Sequence, residues 1–141
     1  MYIAVNYVAV IVAAIANMVI GFIWYGPIFG KTWVAMMGWT PEQIGECQKK
    51  GMTKSYVIAI IGSLITALVL AELLVMVGSY LGLTGVLAGL KAAFIGWLGF
   101  VVPVALSGVA WEGKPWKLWF LNVGYSIVSL MVMGAILGSW M

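Results

Sequence analysis

The chain has 141 residues, of which 65% are hydrophobic and only 8% charged, and it carries a net charge of +3. That balance excludes an ordinary soluble domain. All the basic residues are lysines, and all but Lys91 lie between apolar runs, a pattern of membrane-topology signals rather than of a nucleic-acid-binding surface. The length allows about four spans of ~20 residues with short connections, so the expected fold is all-α, a single polytopic transmembrane domain over residues 1–141.

The first span is expected over residues 2–25, apolar all round except for Asn6 and Asn17. No basic residue precedes this run, so the charged start of a cleavable signal peptide is missing, although Ala14-Ile15-Ala16 has the small residues of a cleavage site. Asn6, Ala9, Ala13, Asn17 and Gly21 recur at helical spacing and share one face. Small and amide residues on one stripe let a neighbouring helix approach closely and hydrogen-bond across the contact. Trp24-Tyr25 has the character of an aromatic belt, and Gly26-Pro27 is expected to end the span.

The connection 26–54 reads as an interfacial segment from Gly30 to Trp39, rich in Lys, Trp and Met, followed by a short amphipathic helix. Thr40-Pro41-Glu42-Gln43 supplies an N-cap, a Pro at the first helical position and a capping-box Gln. Gly51 is expected to stop that helix, and Glu42, Glu46, Lys49 and Lys50 form its solvated face. The single Cys47 has no partner for an intramolecular disulfide.

Spans two and three, expected over residues 55–77 and 85–110, form a hairpin around a Gly-rich turn at 79–85. Each arm carries one charge in the apolar stretch, Glu72 and Lys91, about equally far from the turn and therefore at one depth. Such residues are costly in hydrocarbon and usually face a partner or a water-filled interior. Two readings stand side by side: a polar cavity used for ion or solute passage, or a structural role as an ion pair or a snorkelling lysine. Gly85, Gly89, Ala92, Gly96 and Gly99 share a stripe, which marks the third span as the expected centre of the bundle. Pro103 predicts a kink after Gly99.

The fourth span is expected over residues 116–139, with Asn122, Ser126 and Ser129 on one polar stripe, Tyr125 beside it, and Gly134 and Gly138 as a small-xxx-small pair. The lysines flank the first and third connections, with Lys91 the exception, so both termini are expected on the non-cytoplasmic side, in a bacterial inner membrane. Gly30-Lys31-Thr32-Trp33 and Gly113-Lys114-Pro115-Trp116 share a G-K-x-W pattern that a duplicated hairpin would produce. Interfacial anchoring explains the same residues.

Without His, Asp or Arg the chain lacks the usual general base, triad and metal-ligand combinations, so neither an enzyme nor a metal or cofactor is expected. The polar lining is assigned to Glu72, Lys91, Asn6, Asn17, Asn122 and Ser126. Helix packing is assigned to Gly85, Gly89, Gly96, Gly99, Gly134 and Gly138. The expected partners are the lipid bilayer and either further copies of the chain or other membrane subunits. The first alternative implies a homo-oligomer that binds or passes a small solute or ion, the second an accessory or assembly subunit.

The runs Trp24-Tyr25-Gly26-Pro27-Ile28-Phe29-Gly30-Lys31-Thr32-Trp33, Trp97-Leu98-Gly99-Phe100-Val101-Val102-Pro103 and Glu112-Gly113-Lys114-Pro115-Trp116, with Asn122-Val123-Gly124-Tyr125 and Met133-Gly134-Ala135-Ile136, resemble a bacterial and fungal family of small four-helix membrane proteins of unknown function. The resemblance covers nearly the whole chain and implies the topology alone.

Overall fold

A computed structural model describes residues 5–38, 40–43, 46 and 53–140. Among these the regular structure is helical, and four helices are long and apolar enough to cross a membrane: Tyr7–Ile28, Thr53–Leu81, Gly85–Ala110 and Trp116–Ser139. The boundaries follow local chemistry. Asn6 caps the first helix, its Oδ1 accepting from the amides of Val8 and Ala9 at 3.1 and 3.2 Å, while its Nδ2 donates to the Trp140 carbonyl at 3.3 Å. It thus caps its own helix and also bonds across to the end of the fourth span, as an amide on that stripe was expected to do.

Gly26-Pro27 interrupts the regular α-helix as expected, and the span closes at Ile28, three residues beyond the expected end. Pro27 has no amide to donate to the preceding turn, and the helix widens into a π-helical turn over Trp24–Ile28. There the Phe29 amide reaches the Trp24 carbonyl at 2.9 Å. A short helix, Gly30–Met37, follows and ends at Gly38 with φ 72°. The expected capping box is formed, with the Thr40 amide donating to Gln43 Oε1 at 2.9 Å and the Gln43 amide to Thr40 Oγ1 at 3.2 Å. The end of that helix at Gly51, and Cys47, Lys49 and Lys50, lie outside the described residues.

The hairpin turn closes on Gly82, at φ 69°, where the Leu83 amide bonds back to the Gly78 carbonyl at 2.9 Å. This 6→1 bond satisfies an otherwise orphaned carbonyl and depends on the left-handed residue between. The kink expected near Pro103 takes a defined form, a second π-helical turn over Trp97–Val101. Both π-turns open on Trp-x-Gly, at Trp24 and Trp97.

The fourth span, rather than the third, is the centre. It packs along the first and third spans and also touches the second. Met133 and Leu137, the largest fully buried side chains, belong to it. The third span is buried only along its first half, at Ala88, Gly89, Ala92 and Ala93. Beyond Gly96 no residue of it is buried, although it still touches the fourth span there, the Trp119 indole donating to the Val102 carbonyl at 3.4 Å. Ala9, Ala13, Ala67, Ala71, Ala88, Ala92 and Ala93 supply most of the remaining core, so the helices approach with little side chain between them.

Candidate functional site

The polar interior is built around Asn17, about halfway along the first span. An amide in hydrocarbon must be satisfied by other helices. Its Nδ2 donates to Ser63 Oγ of the second span at 2.6 Å. Its Oδ1 accepts from the Tyr125 hydroxyl of the fourth span at 2.7 Å and also from the Ser129 hydroxyl. The Tyr125 hydroxyl lies 3.3 Å from the Asn17 carbonyl as well. One side chain thereby joins three helices. Gly21 makes this geometry feasible, since a Cβ there would lie 3.0 Å from the Tyr125 hydroxyl.

One turn or more toward the lysine-bearing end, aromatic side chains take over. The Tyr25 hydroxyl donates to Asn122 Oδ1 at 2.7 Å, and its ring meets Tyr125 edge-on at 5.2 Å. The Trp24 indole donates to the Leu121 carbonyl at 3.2 Å and the Trp97 indole to the Val123 carbonyl at 2.9 Å. Each π-turn thus begins with a tryptophan that grips the fourth span at nearly one level. Gly124 leaves space for the Trp24 ring, 3.4 Å from where a Cβ would stand.

Two cavities share Asn17 and Tyr125 as wall. A cleft of ≈ 680 Å³ between the first and second spans includes Gly21, Tyr56, Gly62 and Ser63. A smaller space of ≈ 210 Å³ on the other side includes Thr66, Ser126, Ser129 and Met133. Asn122 lines a third, of ≈ 220 Å³, with Glu112 and Lys114. Asn6 lines a further one at the hairpin-turn end.

The six residues assigned to a common lining are therefore not brought together. Asn6 caps a helix, Asn17 and Asn122 sit at different levels of the interior, and Ser126 donates back to the Asn122 carbonyl at 3.0 Å. Glu72 and Lys91 line none of these cavities. Both are exposed, and among the described residues no ion pair within 4.0 Å joins them. Equal depth set only one coordinate. The buried faces of the two helices run through Ala71 and Leu74, and through Ala88 and Ala92, and Glu72 and Lys91 are each rotated about 100° from a buried neighbour.

Of the packing glycines, Gly89 meets Gly134 and Gly85 meets Gly138 so closely that a Cβ on Gly89, Gly134 or Gly138 would overlap the facing backbone. Gly96 faces only the Leu73 side chain, and Gly99 has nothing within 4 Å of its missing Cβ. The residues left out of the assignment are Ser63, Tyr125 and Ser129 as partners of Asn17, together with Trp24, Tyr25 and Trp97. The available signal was the need of a mid-span amide for hydroxyls at its own depth. Among the described residues no group of three or more His, Cys, Asp or Glu side chains forms a metal-binding cluster.

Four apolar helices around an interior of amides and hydroxyls define a polytopic α-helical protein of the membrane type. The chain belongs to the family described as protein of unknown function, DUF1761, whose model matches residues 8–138. No curated protein and no solved structure matches the chain.

Proposed function

We propose that the protein is a non-enzymatic homo-oligomer of the membrane, in which Glu72 and Lys91 meet across neighbouring copies and the assembly binds or passes a small solute or ion. The observation that carries this reading is the position of Glu72. It is exposed on a long apolar helix, and the nearer helix end, Leu81, is about 14 Å away along the axis. A carboxylate facing lipid there costs roughly 2.5–3.5 kcal/mol, and its short side chain does not reach the interface. Lys91 is exposed on the adjacent span at a similar depth, so a second copy offers complementary charge. Among the described residues the cavities are separate from one another, and a path through an assembly of several copies is the reading this supports. The lysine distribution supports a bacterial inner-membrane orientation with both termini away from the cytoplasm.

Native mass spectrometry from mild detergent, paired with flux into proteoliposomes, tests the reading. The wild type is expected as a symmetric homo-oligomer. Glu72→Gln and Lys91→Met should each weaken assembly and lower flux, and Glu72→Lys combined with Lys91→Glu should restore both. A monomer with normal flux contradicts it. Stoichiometric co-purification with other proteins replaces it with the accessory-subunit reading.

A further inference from the structure

The cleft between the first and second spans holds hydrogen-bonding capacity that the bundle does not use. Ser63 is 4% exposed, and its hydroxyl accepts from Asn17 Nδ2 at 2.6 Å. Among the described residues it takes part in no other hydrogen bond, so its own proton has no acceptor there. A primary amide carries two N–H donors, and Asn17 commits only one of them, to Ser63. Two donors therefore remain about halfway through the apolar layer, beside a cavity of ≈ 680 Å³. The cavity wall contains neither lysine nor glutamate. Val19, Phe22, Tyr56 and Gly62 on its wall are exposed, so it opens sideways, toward the face that lipid would cover.

We infer that this cleft binds a neutral, mainly apolar molecule carrying a carbonyl-type oxygen, of the long-chain ketone or quinone class, which enters laterally and accepts hydrogen bonds from Ser63 and Asn17. The spare groups are donors, which selects an acceptor. A charged head is disfavoured, because nothing on the wall would neutralise it and burying an unpaired charge is expensive. The depth of Asn17 argues against a membrane phospholipid, whose ester groups stay at the border of the ~30 Å hydrocarbon layer. Water would satisfy the same donors, but a volume this large would need many molecules against a mostly apolar wall, whereas a buried water needs 2–4 polar partners. A mobile apolar molecule with a single acceptor matches both the volume and the donors. This inference does not depend on self-association: the cleft lies within one chain, and Glu72 and Lys91 take no part in it.

The test uses the full chain in egg phosphatidylcholine vesicles with two photoreactive probes. One is a long-chain ketone with a diazirine a few carbons from the carbonyl, the other an alkane of equal length with the diazirine at the same place. After irradiation, labelled residues are mapped by mass spectrometry. The ketone is expected to concentrate on Met18, Phe22 and Tyr56, and the alkane to spread over all lipid-facing helices. Ser63→Ala should lower ketone labelling about five- to tenfold, the effect of one lost hydrogen bond. A Cβ at Gly62 would meet nothing within 4 Å and Gly62 lines the cleft, so Gly62→Phe is expected to occupy the opening and to abolish cleft labelling while the helical circular dichroism is kept. Identical labelling by the two probes overturns the inference, and so does ketone labelling that survives Gly62→Phe.

Discussion

At the hairpin-turn end, the third and fourth spans touch backbone to backbone where Gly85 faces Gly138 and Gly89 faces Gly134. Toward the lysine-bearing end the same two spans are linked by a side chain, the Trp97 indole donating to the Val123 carbonyl. The first region is alanine and glycine, packed too tightly for an added methyl group. The second combines π-turns, aromatic rings and the Asn17 hydrogen bonds, and contains the cleft that Gly62 leaves open. Dispersion between small residues joins the spans at the first region, whereas hydrogen bonds across the spans join them at the second. The contrast is between an end closed by backbone contact and a mid-span interior joined by side-chain hydrogen bonds.

The comparison is broken most forcefully at Gly89. Gly89→Ala drives a methyl into the Gly134 carbonyl and is expected to cost about 3 kcal/mol, the upper range for overpacking, read as an earlier midpoint in an SDS unfolding titration from mixed micelles. Asn17→Leu comes next. It removes the amide acceptor of the Tyr125 and Ser129 hydroxyls and leaves them the Asn17 backbone carbonyl at 3.3 Å and Met133 Sδ at 3.8 Å, and about 2 kcal/mol should be lost in the same titration. Trp97→Phe removes one indole bond and keeps most of the ring, for an expected loss of about 0.6–1 kcal/mol, the usual worth of a polar contact between spans. Gly99→Ala should change the midpoint by less than about 0.5 kcal/mol, since its missing Cβ faces open space. A large effect at Gly99 would mean that this position faces a neighbour after all.

Much of the fold was legible because each span is a long apolar run with its own stop signal. The third and fourth spans were expected at 85–110 and 116–139 and are observed at Gly85–Ala110 and Trp116–Ser139. The first span differed because a proline can be absorbed by a wider turn, and periodicity alone does not distinguish that turn from an ending. Four glycines on one stripe read alike in the sequence, yet the π-turn separates Gly89, at the contact, from Gly99, away from it. The site was harder to read. Asn17 stood out as an amide in an apolar helix, but its pairing with Ser63 and Tyr125 joins residues far apart in the chain. Depth can be counted along a helix, whereas the direction a side chain faces depends on how the helices are rotated against one another. The same gap explains why Glu72 and Lys91, matched in depth, do not meet within the chain.

The central claim, that Asn17 is the polar hub joining the first, second and fourth spans, is tested most directly by a double-mutant cycle between Asn17→Ala and Tyr125→Phe, with unfolding free energy as the readout. A coupling of about 0.6–1.7 kcal/mol, the range for hydrogen bonds between membrane helices, is the predicted result. Additive losses, with coupling indistinguishable from zero, would contradict it.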